Sequence, residues 1–288
     1  MLHLIYNPIS GKKKAAKNLV VVEKLLKERG VEYEVHGTCE AHDGERIARE
    51  LTQRGETNIV VLGGDGTLHE VLNGLVDPTI CTLGLIPSGT GNDFATCIGL
   101  PLDAEKATNI LLNCEAKDTD YLEVADRRCM NVGGIGMDVD VLERYMRGKR
   151  QTKSKYYTSL LKSFLAFKGY SVTVVIDGKE EKHNAILVDV CNGIMYGGGI
   201  RICPKADVAD GKISALIVDN IKGKFALVKA LLKLMKGEIL EYPKTSYYLC
   251  DEVIVTPETP CIVQLDGELY PNLNFHAKIK TGLKFYRP

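Results

Sequence analysis

Asn58-Ile59-Val60-Val61-Leu62-Gly63-Gly64-Asp65-Gly66-Thr67 is the stretch whose reading decides the fold. Its first half is a short apolar run rich in β-branched residues, its second half is a glycine turn, and a helical pattern begins near Leu68. That is a strand, a turn and a helix start. Glycines there let the backbone take positive φ and come close to a ligand, so that successive amides can face phosphate oxygens with the helix dipole behind them. A tight strand-to-helix turn is the plainer reading of a glycine pair. Asp65 decides between them, because an acid in an anion-binding loop would repel phosphate unless a divalent cation or a ligand donor stood between. Metal-nucleotide chemistry is the expectation.

Working outward, the same alternation holds on both sides: a strand at Leu2–Tyr6, a helix around Lys13–Arg29, a strand at Val31–His36, a helix around Asp43–Arg54, and a strand at Thr82–Ile86. Alternating strands and helices imply right-handed crossovers, a largely parallel sheet covered by helices, and ligands bound at the carboxyl ends of the strands. The loops at those ends are Asn7 to Gly11, Gly63 to Thr67 and Pro87 to Asp93, all rich in small polar residues, with Thr38 just past the second strand. Standard fingerprints fail: no glycine loop ends in Gly-Lys-Ser or Gly-Lys-Thr, and Gly64-Asp65-Gly66 meets His69 where a dinucleotide loop needs its third glycine.

Beyond about Lys117 the texture changes to strand-like runs joined by turns: Tyr121–Val124, Ser171–Ile176, Ala185–Cys191, Ile213–Val218, Glu252–Thr256, Cys261–Leu265 and Asn274–Lys280. Asp177-Gly178 is a hairpin signal, and Asp266-Gly267 and Asp210-Gly211 read the same way. Gly133-Gly134-Ile135-Gly136 and Gly197-Gly198-Gly199 serve turns or close backbone approach, and Asp138 reads as polar packing. The domains expected are 1–122, an α/β nucleotide-binding domain, and 123–288, a mostly antiparallel β domain.

Composition sets the outer bounds. The 288 residues are 45% apolar and carry 37 basic against 37 acidic side chains, so the length suits two domains and the neutral balance argues against a nucleic-acid-binding surface. Nine scattered cysteines without a C-x-x-C pair point to reduced thiols and a cytoplasmic chain. The apolar start is followed by Lys12, Lys13 and Lys14, the wrong order for a secretory signal, and no window reaches the roughly 18 apolar residues of a spanning helix. Membrane contact would therefore be peripheral. Two basic helical segments suit it: Arg144 to Tyr170, which includes Lys149, Arg150 and Lys153 and has no acid, and Ile221 to Gly237, which includes Lys224. A helix packed on a sheet with solvated lysines is the plainer reading; an anionic bilayer surface is the other.

The ordered set Asn7-Pro8 with Ser10-Gly11, Gly63-Gly64-Asp65-Gly66-Thr67, Pro87-x-Gly89-Thr90-x-Asn92-Asp93, Pro204-x-Ala206-x-x-x-Asp210-Gly211 and Leu265-Asp266-Gly267-Glu268 resembles the diacylglycerol kinase catalytic-domain family, in particular its soluble bacterial lipid kinases. The resemblance spans nearly the whole chain. It implies an α/β domain and a C-terminal antiparallel β-sandwich, with ATP and Mg²⁺ bound in the cleft between and a diacylglycerol-like lipid as acceptor at the inner membrane face. Carried over by motif, nucleotide contacts fall on Asn7, Pro8, Ser10, Gly11, Thr38, Gly63, Gly64, Asp65, Gly66, Thr67, Leu68, His69, Glu70, Gly89, Thr90 and Asn92. Asp65 matches the family's essential loop aspartate. Asp93 and Asp120 resemble members of a magnesium-organising network. The base that takes the acceptor's proton is assigned to the Asp266–Glu268 motif, and either carboxylate suits it.

Asp207, Asp210 and the Lys212 carbonyl resemble the family's structural metal site, although their spacing alone favours a turn. The stop at Pro288 leads us to expect that a segment packing back onto the first domain is missing. Two other readings stand beside the lipid kinase: an NAD kinase-like enzyme with a similar loop, and a non-catalytic nucleotide- or lipid-binding protein. Acceptor identity and oligomeric state, homodimer included, stay open.

Overall fold

A computed structural model describes residues 1–147 and 152–288. Lys149 and Arg150, which belong to the first basic segment, lie outside the described residues, as do the side chains of Lys153 and Lys224. The chain forms two units, Met1–Tyr121 with Thr281–Pro288, and Leu122–Lys280.

The first unit alternates β1 (Leu2–Tyr6), α1 (Ser10–Glu28), β2 (Tyr33–Gly37), α2 (Asp43–Gln53), β3 (Asn58–Gly63), α3 (Asp65–Gly74), β4 (Thr82–Pro87), α4 (Asp93–Cys97) and α5 (Ala104–Asn113), and then enters β5 (Ala116–Val124). The strands run parallel in the order β2-β1-β3-β4. β3 is apolar throughout because both its faces are covered: Ile59, Val60, Val61 and Leu62 are fully buried. α1 turns Ala15, Val22 and Leu26 to the sheet, one face of a helical period. α5 starts on Asp103, whose carboxylate accepts the Lys106 amide at 3.0 Å.

The last residues depart from the expected division at 122/123, because Thr281–Pro288 groups with the first unit, a return that the expectation of a missing segment did not foresee: Lys284 and Phe285 pair in parallel with Thr82 and Leu83 at the edge of β4. Phe285 is fully buried and meets Phe94 edge to face, with centroids 5.4 Å apart. An aromatic side chain of that size is reason enough for the strand to return.

The second unit contains β6 (Arg127–Cys129), β7 (Val132–Gly136), α6 (Met137–Met146), α7 (Lys153–Ala166), β8 (Tyr170–Ile176), β9 (Lys179–Cys191), β10 (Ile213–Asp219), α8 (Lys224–Met235), β11 (Thr245–Cys250), β12 (Glu252–Pro257), β13 (Ile262–Leu265), β14 (Glu268–Pro271) and β15 (Phe275–Tyr286), the last of which runs on into the first unit. Pairing among these strands is antiparallel, in the order β14-β13-β7-β9-β8-β12-β15, with β10 added on β9 and β11 on β10. Period-2 alternation divides β10 between two cores: Ile213, Ala215 and Ile217 join Val174, Val188 and Val253, while Leu216 and Val218 pack under α6, α7 and α8 with Tyr156, Phe164 and Leu234.

Asp177-Gly178 closes the β8–β9 hairpin and Asp266-Gly267 the β13–β14 hairpin, each with two successive positive φ angles. Asp210-Gly211 closes none; it leads into β10. Gly133 and Gly134 lie within a paired strand, β7, and serve close approach, since a Cβ on Gly134 would stand 1.9 Å from Asp189 Oδ1. All nine cysteines are free, and Cys39 is exposed. Among the described residues no helix is long and apolar enough to cross a membrane.

Candidate functional site

Parallel register brings the carboxyl ends of β1, β3 and β4 level, with Tyr6 opposite Leu62 and Gly63 opposite Pro87. The three loops that follow are bound to one another. The Ser88 amide donates to the Gly63 carbonyl at 2.7 Å, and the backbones of Gly64 and Gly89 touch: a Cβ on Gly89 would stand 2.4 Å from Gly64 Cα. Gly11 has φ +55°, and a Cβ there would fall 2.0 Å from the Ser88 carbonyl oxygen. Glycine is required at each of these positions by approach, independently of any ligand.

Ser88 is the residue that sequence reasoning passed over, as the variable position of Pro87-x-Gly89. It is fully buried; its hydroxyl donates to the Ile86 carbonyl (3.0 Å) and accepts from Asn18 Nδ2 (2.8 Å). Its own carbonyl accepts from the Ser10 hydroxyl at 3.4 Å. Lys14 was also missed: its ammonium donates to the carbonyls of Pro87 and Leu102. Gly11, Lys12 and Lys13 form three successive left-handed residues before α1 becomes regular. Two of the three are not glycine, a conformation that persists where surrounding contacts impose it.

Asp65 opens α3, and its Oδ1 accepts the Phe94 amide at the start of α4 (3.1 Å). Asp65 Oδ2 and Asp93 Oδ2 both flank Gly91, at 3.0 and 3.4 Å from the place a Cβ would occupy. Asn92, left-handed at φ 56°, holds this turn by accepting the Gly89 amide at 2.8 Å and donating to the Gly89 carbonyl at 3.0 Å. Two carboxylates therefore face one glycine between two helix starts. Hard oxygens beside the backbone amides of helix starts are the donor set that a magnesium-bound polyphosphate takes.

Other expected contacts are placed differently. Thr38 is buried at the end of β2, its amide donating to the Tyr6 carbonyl at 3.0 Å. Thr67, Leu68 and His69 are buried, and Thr67 packs against Gly63. The Glu70 carboxylate accepts the amides of His42 and Gly44, both at 3.0 Å, at the start of α2. Asp43, next to it, accepts the amides of Cys39 and Glu40 and pairs with Arg46, which together hold its carboxyl below the usual range.

In the second unit the two carboxylates of the late motif separate cleanly. Asp266, left-handed at φ 52°, accepts the amides of Met130 (2.7 Å), Asn131 (2.8 Å) and Val132 (3.3 Å) and the thiol of Cys129 (3.1 Å). Burial, with Asp266 beside it, pushes the Cys129 thiol well up. Glu268 opens β14 and is exposed. Asp207 and Asp210 are exposed, and each accepts the amide two residues on, Ala209 at 3.0 Å and Lys212 at 2.9 Å, which is turn geometry. The Lys212 ammonium pairs with Asp251.

Asp138 and Asp189 form the most unusual pair. Both are buried, both approach Gly134, and neither has a donor in bonding geometry on either oxygen. Burial raises Asp138 to about 7, against the lowering effect of the Val139 amide and Gln264 nearby. Burial and then Asp138 raise Asp189 well above the carboxylate range. Sequence gave no sign of this pairing, because the two residues lie on β9 and the start of α6 and meet only across a glycine.

Residues 1–124 match the diacylglycerol kinase catalytic domain, and residues 132–283 match the YegS C-terminal NAD kinase beta sandwich-like domain. The chain belongs to the diacylglycerol kinase family. A diacylglycerol kinase of Bacillus subtilis is 30% identical over 92% of this chain and 88% of its own length, and one of Mycobacterium tuberculosis is 30% identical over 98% and 93%. A crystal structure of a diacylglycerol kinase from Bacillus anthracis superposes with a TM-score of 0.82 at 25% identity, over 100% of this chain and 96% of that one. The chain is thus a lipid kinase with an N-terminal α/β catalytic domain and a C-terminal β-sandwich, as the ordered motifs had implied.

Proposed function

We propose that this diacylglycerol kinase family member transfers the γ-phosphoryl group of ATP, with Mg²⁺, to the hydroxyl of diacylglycerol or a closely related lipid at an anionic membrane surface. The observation that carries this reading is the convergence of the Gly63–Thr67 and Ser88–Asn92 loops on Asp65 and Asp93, whose carboxylates meet at Gly91. The residues fit the group: the amides at the start of α3 suit a polyphosphate, and two adjacent carboxylates suit a divalent ion. When bound, Mg²⁺ supplies charge neutralisation at the phosphoryl oxygens.

The chain's own residues do the rest. Gly64, Gly66 and Thr67 present backbone to the phosphates, Asp65 and Asp93 fix the position of the ion, and Glu268 takes the proton of the acceptor hydroxyl. A bond forms from that oxygen to the γ-phosphorus as the bond to the β-bridging oxygen breaks, and ADP leaves. Glu268 is favoured over Asp266 as base because both Asp266 oxygens are already occupied as acceptors.

Docking on a bilayer is supported by α7 and α8. Their inner faces are packed, yet Phe225 (96% exposed), Val228, Leu232 and Met235 form an outward stripe on α8, and Tyr157, Leu161 and Leu165 form another on α7. Exposed Lys162, Lys168, Lys222, Lys229 and Lys236 accompany them. Apolar stripes flanked by lysine are the pattern of helices that lie in an anionic interface.

Phosphate transfer from radiolabelled ATP to vesicles carrying diacylglycerol, sphingoid base or polyprenol, with NAD as a soluble acceptor, tests the proposal. Label should enter diacylglycerol and fall by on the order of 100-fold or more in Asp65→Ala. Label in NADP alone, or lipid labelling indifferent to Asp65, would overturn it.

A further inference from the structure

A second cluster of ligating groups spans β1 and the edge strand β2 of the first unit's sheet. His3 on β1 stands opposite Glu34 on β2, and His36 follows two residues later on the same face of β2. Among the described residues, His3, Glu34 and His36 form the one set of three ligating side chains whose donor atoms all lie within 4.8 Å of one another. His3 Nδ1 is 3.1 Å from His36 Nε2 and 3.6 Å from Glu34 Oε2, and His36 Nε2 is 3.9 Å from the same oxygen.

We propose that His3 Nδ1, His36 Nε2 and a Glu34 carboxylate oxygen bind a divalent transition ion of the zinc class, with the fourth position left to water. The separations suit it. Ligands about 2.0–2.1 Å from a tetrahedral ion stand roughly 3.3–3.4 Å from one another, close to the three distances seen. Two imidazoles and one carboxylate, with no thiolate, form a borderline-hard set that suits zinc, cobalt or nickel rather than calcium or magnesium.

The surroundings are built for the same purpose. The other nitrogen of His3, Nε2, faces the Glu56 carboxylate at 2.9 Å, which fixes the tautomer with the proton on Nε2 and the lone pair on Nδ1, toward His36. His3 is 1% exposed, on β1 between its neighbours β2 and β3. Glu34 and Glu56 bring two negative charges to the cluster, against Arg54 near His36. A bound ion would clip β2, which among the described residues pairs with β1 alone, to the interior of the sheet.

The full chain, stripped with chelator and titrated with Co²⁺ at pH 7.5, tests this by absorption. Expected are one equivalent that carries tetrahedral d–d bands, no thiolate charge-transfer band, and a Zn²⁺-dependent rise in Tm. Glu56→Gln should weaken binding by about 10–100-fold, as loss of the carboxylate behind a ligating histidine does. His36→Asn should abolish it, and Glu34→Gln, a change at a half-exposed side chain, should weaken it in a chain that stays folded. No uptake by the wild-type chain, uptake unchanged in both His36→Asn and Glu34→Gln, or a thiolate band alone would overturn the proposal.

Discussion

At the scale of single residues, the two acids of one hairpin sit in opposite surroundings. Asp266 is surrounded by three backbone donors and a thiol from residues 129–132, whereas Glu268 is exposed two positions on. Asp266→Asn should lose about 1.5–3 kcal/mol of stability, read by urea unfolding, because an ionised acceptor of backbone amides is replaced by a neutral group that also donates. Glu268→Gln should keep its stability and lose about 10²–10⁴ of kcat. The sequence could not separate these roles, since the donors to Asp266 lie some 135 residues earlier.

Asp138 supports a second prediction at this scale. Its folded pKa, about 7, stands above its ordinary 3.8, so between those values the folded protein holds a proton that the unfolded chain has released. The Asp138 contribution to stability therefore falls as pH rises through that window and is fully lost above about 7. Asp189, raised in the same direction, adds to the effect. Asp138→Asn should raise Tm more at pH 8 than at pH 5; an equal change at both would show that the carboxyl is not protonated by burial.

At the scale of elements, the strand-loop-helix units of the first half were legible because their signals are local: apolar runs, glycine turns and helical periods each fit within about ten residues. β7 was not, because its glycines suggest turns and the reason for them, Asp189 and Leu265 pressing on the backbone, belongs to other strands. Glu70 looked like part of a nucleotide loop by position, but its carboxylate holds the start of α2 from 26 and 28 residues away. The basic helices were legible as charge, and their outward apolar stripes were not, since period alone does not say which apolar face is covered. For α8, Leu232→Asp should leave Tm unchanged and reduce binding to anionic vesicles by roughly 10- to 100-fold, the loss of one inserted side chain worth about 1.5–3 kcal/mol. Sedimentation with vesicles at low and high salt would separate this term from the lysine contribution, which salt screens.

At the scale of the whole molecule, the first unit is completed by the end of the chain. Phe285, fully buried against Phe94, should cost about 3–5 kcal/mol when replaced by alanine, measured by urea unfolding of the first unit. Because residues 122–280 stand between Tyr121 and Thr281 in the chain, the second unit is an insertion within the first. On the ribosome this inverts the usual order in which amino-terminal domains mature first. The inserted unit has all of its strands before the first receives its closing edge, so a nascent chain halted short of Thr281 would carry a finished carboxyl-terminal half and an amino-terminal half still waiting for its last strand.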